Sequence, residues 1–153
     1  MARHAIVTGA SRGIGRAIAI GLARRGYDLA LTDIAAQEKV LLETVAEVGK
    51  LGGRCIPVLG DVSDAGDCRR TAAEAVQGLG HIDVLVNNAG ILRLATIDEL
   101  TTDTWDQTFA VNTRGVFQMT QAVVAHMKER KYGRIVNIAS LAARTGGPGQ
   151  SHY

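Results

Sequence analysis

The sequence predicts an α/β fold built on a doubly wound parallel sheet with the strand order 3-2-1-4-5. Two observations carry the prediction: short apolar segments alternate with helical patterns, and each apolar segment is close to continuous. Near-continuous apolar segments are typical of strands that a parallel sheet buries on both faces. Because crossovers between parallel strands are right-handed, few topologies remain. The chain of 153 residues is predicted to form a single domain, 1–153.

Five strands are expected in chain order. They are AIVTG at 5–9, LALTD at 29–33, RCIPVLGD at 54–61, IDVLVNN at 82–88 and RIVNIAS at 134–140. The third strand lies at an edge in the predicted order. Pro57 within it agrees, because proline cannot donate to the ladder of a central strand.

Four helices are expected between these strands, each with an apolar stripe at helical spacing. The first ends near Gly26, the third begins after Ser63 as its N-cap, and the fourth runs from about Thr102 to Lys128. The stripes are Ile14, Ala17, Ile18, Gly21 and Leu22; Leu41, Val45 and Val48; Cys68, Ala72, Ala75, Val76 and Leu79; and Trp105, Phe109, Asn112, Val116, Met119 and Val123.

Composition argues against several classes of function. The net charge is +2 and aromatic residues make up 4%, which predicts no nucleic-acid partner. No apolar segment is long enough to span a membrane, and a cytoplasmic, reducing location is expected. The two cysteines, Cys55 and Cys68, form no CxxC pair and are expected to be small buried apolar side chains. The histidines show no ligand spacing, so no metal site is predicted.

The predicted strands end in Thr8-Gly9, Asp33, Asp61, Asn87-Asn88 and Ser140. Ligands of open α/β sheets bind beyond the carboxyl ends of the strands, so these residues are expected to share one rim. For any one residue the alternative stands that strand ends are polar because loops are polar. The five together favour a binding rim.

The segment TGASRGIG at 8–15 follows the first strand and opens the first helix. Gly9 permits a tight turn, Gly13 a close backbone approach and Gly15 close packing of helix on strand. The helix start offers N–H groups and a positive dipole end to a pyrophosphate. The alternative is a glycine-rich turn without a ligand. Its spacing is GxxxGxG rather than the common GxGxxG.

These motifs together resemble the classical short-chain dehydrogenase/reductase family. The resemblance rests on TGASRGIG, Asp33, the DV at 61–62, NNAG at 87–90, Asn112 and RIVNIAS with Ser140, and it covers the chain from end to end. It implies a Rossmann-type fold and an NAD or NADP cofactor. The cofactor-binding residues it implies are Gly9, Ser11, Arg12, Gly13, Ile14, Gly15, Asp33, Asp61, Val62, Asn88, Ala89 and Gly90.

The residues around the adenosine ribose favour NAD over NADP. A carboxylate at Asp33 can accept hydrogen bonds from ribose hydroxyls and would repel a 2′-phosphate. Arg12 points the other way, because a basic residue there often accompanies NADP in similar proteins; the alternative for Arg12 is a solvated loop cation. Repulsion by the fixed acid is expected to decide for NAD.

The resemblance also implies a catalytic set of Asn112, Ser140 and Tyr153. Asn112 would support a proton relay, although a satisfied core asparagine is the alternative. Ser140 would orient the substrate oxygen, and Tyr153, thirteen positions later, would be the general acid/base. The lysine that the family places four residues after its tyrosine is not within these 153 residues.

On this resemblance, the chain is expected to be C-terminally incomplete, lacking two strands, and by itself to turn over little. The full-length form is expected to be a homodimer or homotetramer that interconverts a small-molecule alcohol and ketone of the 3-oxoacyl or the sugar/polyol type. The alternatives are a non-catalytic NAD-binding module or partner subunit, and a remnant without function. An uncovered fifth strand would predict aggregation or dependence on a partner.

Overall fold

The computed structural model describes residues 3–153, which contain five strands and six α-helices. The strands are β1 Arg3–Thr8, β2 Tyr27–Asp33, β3 Cys55–Leu59, β4 Val84–Asn87 and β5 Arg134–Asn137. The helices are α1 Gly13–Ala23, α2 Glu38–Gly49, α3 Ala65–Leu79, α4 Thr102–Phe109, α5 Gly115–Glu129 and α6 Ala142–Thr145. A single 3₁₀ turn, Ala35–Gln37, precedes α2.

All strand pairs are parallel, and the strand order is β3-β2-β1-β4-β5, as predicted. Pro57 pairs with Leu31 on the edge strand β3. The edge position is physically reasonable for a proline because its missing N–H can face away from β2. The carboxyl ends of the strands therefore meet along one edge of the sheet.

Apolar layers cover the two faces of the sheet. On one face, Ile6 and Leu85 of the central strands pack with Met119 and Val123 of α5 and with residues of α3. On the other, residues of β1 and β2 pack with Leu41 of α2 and with α1. Helices on both faces of a parallel sheet make the fold doubly wound, of the Rossmann type.

Helix α1 packs on the sheet through small residues, which corrects the predicted stripe. Its buried residues are Gly15, Ala19 and Ala23, whereas Ile14 is 63% exposed. A Cβ on Gly15 would lie on top of the Gly9 carbonyl oxygen. Because this close approach rotates α1 onto its small residues, Ile14 turns toward solvent.

The N-cap of α3 is Asp64 and not Ser63. The Asp64 carboxylate accepts the backbone N–H of Asp67 at 2.8 Å. Ser63 instead donates through both its backbone N–H and its hydroxyl to Asp61. Two neighbouring residues could each cap the helix, and the turn at Asp61 decides between them.

The predicted fourth helix is interrupted. A π-helical segment, Ala110–Arg114, lies between α4 and α5. The predicted stripe divides at the same place: Trp105 and Phe109 of α4 are about two-fifths exposed, and Met119 of α5 is buried. The extra residue in a π-turn rotates the two stretches relative to each other, so one apolar stripe cannot be buried along both.

Strand β5 departs from the prediction of burial on both faces. All four of its residues are exposed within the described residues, among them Ile135 and Val136 at 38% and 45%. It is hydrogen-bonded to β4 alone and forms an edge of the described sheet. The apolar sequence of β5 correctly predicted a strand. The burial of its side chains depends on neighbouring elements, which the local sequence does not reveal.

The cysteines are unpaired, as expected. Cys68 is buried and Cys55 is partly buried. Burial raises the pKa of Cys55 to about 12, and burial together with Asp64 and other nearby carboxylates raises that of Cys68 to about 11. Both thiols therefore stay protonated at neutral pH. Within residues 3–153, no helix combines the length and the hydropathy that crossing a membrane requires.

Candidate active site

A cleft of about 500 Å³ opens over the carboxyl ends of the central strands. Segments that follow β1, β2, β3 and β4 contribute to its walls. Nine of the predicted cofactor-binding residues line it: Gly9, Ser11, Arg12, Asp33, Asp61, Val62, Asn88, Ala89 and Gly90. The ends of four of the five predicted strands thus share one cleft, and Ser140 at the end of the fifth is not among its lining residues.

The glycine segment forms a tight turn at the floor of the cleft. Gly9 and Gly13 have φ angles of +62° and +56°, a region that residues with a side chain rarely adopt. A Cβ on Gly9 would lie 2.8 Å from the Ala89 Cα atom, while one on Gly13 would meet nothing within 4 Å. Gly9 is therefore required by packing, and Gly13 leaves open space in front of the helix start.

Asn88 and Thr8 brace this turn against the end of β4. The Asn88 amide donates to the carbonyl oxygens of Thr8 and Gly9, at 2.9 and 3.0 Å. In return, the Thr8 hydroxyl oxygen accepts the backbone N–H groups of Asn88 and Ala89, both at 3.0 Å. The turn and the β4 end are thus held as one unit, which agrees with a structural role for Asn88 beside any role in binding.

Asp33 joins the glycine turn to the end of β2. One carboxylate oxygen accepts the Ser11 N–H at 3.0 Å, and the other accepts the Ile34 N–H at 2.9 Å. The carboxylate therefore has a fixed position at the cleft wall. A fixed anion at this place is suited to accept from hydroxyl groups and unsuited to meet a phosphate.

Asp61 and Val62 are positioned by α3 and α5. The backbone N–H of Asp61 donates to the Asp67 carboxylate at 2.9 Å. That bond and a second one from Arg70 hold the pKa of Asp67 below its ordinary value. Val62 is buried against Gly115, where a Cβ would lie 2.8 Å from a Val62 methyl group.

Polar groups in the cleft walls fit a phosphate-bearing ligand. The hydroxyl oxygens of Ser11 and Thr32, both residues of the cleft lining, are buried without a hydrogen-bond partner among the described residues. At the start of α1, Arg12 provides no side-chain cap for the first N–H groups. Uncapped N–H groups at a helix start form an anion site. The residues present therefore fit the pyrophosphate of a dinucleotide.

Asn112 lies behind the cleft wall, in the π-helical segment. Its side-chain oxygen accepts the Ile91 N–H and its amide donates to the Ile91 carbonyl oxygen, both at 2.8 Å. The amide is partly buried and satisfied, which agrees with the structural alternative for this residue. It fixes the loop after Gly90, whose neighbour Ile91 lines the cleft.

Ser140 and Tyr153 lie outside the lining of the 500 Å³ cleft. The Ser140 hydroxyl oxygen accepts the Ala142 N–H at 3.2 Å. Tyr153 is 41% exposed and lines a separate, open cleft of about 700 Å³ beside Ala142 and Ala95. The structure thus brings most of the cofactor set into one cleft, and it does not bring the three catalytic candidates into that lining.

Several residues of the cleft were not predicted. Ile34 and Gln37 follow Asp33, Gln107 and Val111 come from α4 and the π-helical segment, and Arg93 lies in the loop after β4. Ile34 carried a usable signal, since it directly follows a strand end. Gln107 and Val111 carried none, because which face of the interrupted helix turns to the cleft depends on the π-turn.

Comparison with known proteins identifies the family. A sequence model described as short chain dehydrogenase matches residues 3–153. The chain belongs to the short-chain dehydrogenase family. The match spans every described element, in agreement with the motifs from which the resemblance was inferred.

Two curated relatives and one solved structure illustrate the similarity. A 3-oxoacyl-acyl-carrier-protein reductase of Staphylococcus aureus strain Mu50 is 37% identical over 153 residues, which are 100% of this chain and 62% of that protein. An L-rhamnose 1-dehydrogenase (NAD(P)(+)) of Sphingomonas sp. strain SKA58 is 41% identical over 149 residues, 97% of this chain and 58% of that protein. A solved structure from Sinorhizobium meliloti 1021, described as a short-chain alcohol dehydrogenase by assignment, superimposes with a TM-score of 0.95 at 37% identity, covering 100% of this chain and 60% of that one.

The family members in these comparisons are longer than this chain. The chain spans about three fifths of the length of each of them. Membership of the family gives this chain a Rossmann-type fold. It also gives the chain an oxidoreductase lineage that uses a nicotinamide dinucleotide.

Proposed function

We propose that the protein is an NAD(P)-dependent oxidoreductase that interconverts a secondary alcohol and a ketone by hydride transfer. The observation that carries the proposal is the composition of the cleft over β1 and β4. It combines an uncapped helix start, the unpartnered hydroxyl of Ser11 and the fixed carboxylate of Asp33. This is the set of groups that a pyrophosphate and an adenosine ribose require.

The chain's own residues bind and orient the dinucleotide. The N–H groups at the start of α1 bind the pyrophosphate, and Asp33 accepts from the ribose hydroxyls. Asp61 and Val62 bind the adenine at the cleft end where Asp67 holds their loop. When bound, the nicotinamide supplies the hydride chemistry, accepting a hydride from an alcohol carbon or giving one to a carbonyl carbon.

The proton chemistry belongs to Ser140 and Tyr153. Because the Ser140 oxygen already accepts from the Ala142 N–H, its own O–H is available to donate to a substrate oxygen. Tyr153 then exchanges the proton of that oxygen as general acid or base. Asn112 acts at a distance: it fixes Ile91 through two hydrogen bonds and so supports the wall between the relay and the cofactor.

NAD is the proposed cofactor, with NADP the weaker ligand. Asp33 is immobilised by two backbone N–H groups and cannot easily turn away from a 2′-phosphate. Arg12 lines the same cleft and would favour that phosphate. The carboxylate is held and the exposed arginine is not, so repulsion at Asp33 decides the preference.

The proposed substrate is a 3-oxoacyl compound or a sugar or polyol. The relatives named above carry such substrates in their names, and they support the class without identifying the compound.

The full-length protein is proposed to be a homodimer or homotetramer. The exposed Trp105, Phe109 and Phe117 on α4 and α5 support this assembly. The cytoplasmic location remains a prediction.

A paired binding and turnover measurement tests the proposal. The protein with any C-terminal continuation that its gene encodes is compared with residues 1–153, using NADH, NADPH and a panel of 3-oxoacyl thioesters and keto sugars. We expect ketone-dependent oxidation of NADH by the longer protein, lost in Tyr153→Phe, and little turnover by residues 1–153. Saturable NADH binding without turnover in both forms would favour the non-catalytic module, and absence of both in folded protein would overturn the proposal.

A further inference from the structure

Two histidines and an aspartate meet at the amino ends of β1 and β4, on the sheet edge opposite the cofactor cleft. His4, His81 and Asp83 each offer a metal-ligating atom, and these atoms all lie within 4.8 Å of one another. The sequence spacing predicted no metal site among the histidines. The sheet pairs Ala5 with Val84, which places His4 beside Asp83 although 79 positions separate them.

The donor atoms of His81 and Asp83 pair at a distance slightly shorter than the spacing of metal ligands. His81 Nε2 lies 3.1 Å from Asp83 Oδ2. In a tetrahedral zinc site with bonds of about 2.0–2.2 Å, neighbouring ligand atoms lie about 3.3–3.6 Å apart. The Asp83 carboxylate is also oriented: its Oδ2 accepts the His4 N–H at 3.0 Å, and its Oδ1 lies 3.7 Å from Arg130.

The His4 ring is held in the tautomer that a metal ligand requires. Its Nδ1 lies 3.0 Å from the His81 carbonyl oxygen, which can only accept, so Nδ1 carries the proton. A hydrogen bond from one ring nitrogen to a carbonyl group is what orients metal-ligating histidines. In the neutral ring, Nε2 then has a free lone pair, and it faces the Asp28 carboxylate at 3.6 Å.

Burial and access also suit a bound ion. His4 and Asp83 are 6% and 5% exposed, so their polar atoms are largely withdrawn from water. His81 is more open, and its side chain provides the path from solvent. Arg130 lies 3.7 Å from the Asp83 carboxylate. Arg54 lies 3.8 Å from the Asp28 carboxylate. The two arginines balance part of the negative charge of the two carboxylates.

We propose that His4, His81 and Asp83 form a binding site for a divalent transition-metal ion of the zinc type. Two imidazoles with a carboxylate suit zinc or a similar borderline ion, whereas magnesium and calcium prefer oxygen ligands alone. The ion would join β1 to the turn before β4. Because the site is on the far edge of the sheet from the cofactor cleft, its role is to stabilise the fold and not to take part in catalysis.

Zinc titration of the tag-free, chelator-treated protein by calorimetry tests the site. We expect one zinc ion per chain and a rise in the thermal unfolding midpoint of several degrees. His81→Gln should weaken zinc affinity by at least about tenfold, the loss that even an outer-sphere partner causes. The matched control is His126→Gln, which removes an imidazole that accepts the Ile82 N–H at 3.3 Å but is not in the trio.

A spectrum of the wild-type protein with Co²⁺ gives an answer that depends on no variant. We expect the visible bands of a four-coordinate site with nitrogen and oxygen ligands, and their loss on addition of excess zinc. Folded wild-type protein that binds neither ion saturably would overturn the proposal. Equal zinc affinity in the wild type and in folded His81→Gln, or a loss confined to His126→Gln, would overturn it as well.

Discussion

Single residues fix the shape and the charge of the cofactor cleft. Asp33 holds the Ser11 and Ile34 N–H groups and is at the same time the anion that a 2′-phosphate would meet. Gly15 allows the first helix to rest on the Gly9 carbonyl group. In the proposed function, Asp33 gives the preference between the two cofactors, and Gly15 permits the turn at which either of them would bind.

Asp33→Ser is expected to shift the ratio of NADPH to NADH affinity toward NADPH by about tenfold, equivalent to about 1.4 kcal/mol. The reason is the removal of a fixed negative charge. Asp33→Asn removes the charge and keeps an acceptor for Ser11, so it should shift the ratio in the same direction. Calorimetric titration with both nucleotides measures it, with Asp103→Ser on the exposed start of α4 as the control. An unchanged ratio in both Asp33 variants would refute the role of Asp33.

Gly15→Ala is expected to lower the free energy of unfolding by about 1–3 kcal/mol, the usual cost of overpacking. The new Cβ would collide with the Gly9 carbonyl oxygen and the Asn88 amide. Gly49→Ala is the matched control, because a Cβ there meets nothing within 4 Å at the end of α2. Urea unfolding of both variants measures the difference. Equal stability of the two would contradict the close packing of α1 on the turn.

At the scale of elements, the π-helical segment between α4 and α5 shapes the wall behind the cleft. It directs Asn112 toward the loop after β4, where both ends of the amide pair with Ile91. An uninterrupted helix would have placed this residue on the same stripe as Phe109 and Val116, as the sequence predicted. The interruption therefore converts a core position into a loop clamp.

Asn112→Ala is expected to lower stability by about 1–3 kcal/mol, because it leaves the N–H and C=O groups of Ile91 without their partner. It should also speed amide exchange at Ile91 more than at residues of α5. Thr113→Ala, in the same segment but exposed, serves as the control and should change neither quantity. Hydrogen exchange with mass spectrometry measures both. Unaltered exchange at Ile91 in folded Asn112→Ala would contradict the clamp.

At the scale of the whole molecule, the sheet is covered unevenly. The strands β1, β2 and β4 are buried between helices, while β5 is exposed along its length. Ile135, Val136, Ile138 and Leu141 form an apolar surface at this end of the described residues. Apolar surface of this kind at a sheet edge favours association.

Residues 1–153 are therefore expected to self-associate in a concentration-dependent manner. Val136→Lys should reduce the association, because a charge on an edge strand disfavours edge-to-edge contact. Lys39→Ala, on α2 and away from β5, is the control. Sedimentation velocity over a range of concentrations measures it. A monomeric wild type at every concentration would contradict the expectation.

The sequence was sufficient for the topology and for nine of the nineteen residues that line the cleft. Alternation of apolar segments and helices predicted the strand order, and Pro57 predicted the edge. What it could not predict depends on neighbours in space. The exposure of β5 and the meeting of His4 with His81 follow from tertiary contacts. Local periodicity carries no information about these contacts.

The measurement that tests the central claim most directly is equilibrium binding of NADH and NADPH to folded residues 1–153, followed by calorimetry. If the cleft over β1 and β4 is a dinucleotide site with Asp33 at its ribose end, NADH binds saturably at one site, ADP-ribose competes with it, and NADPH binds more weakly. Folded protein that binds neither nucleotide, or that binds NADPH more tightly than NADH, would contradict the account.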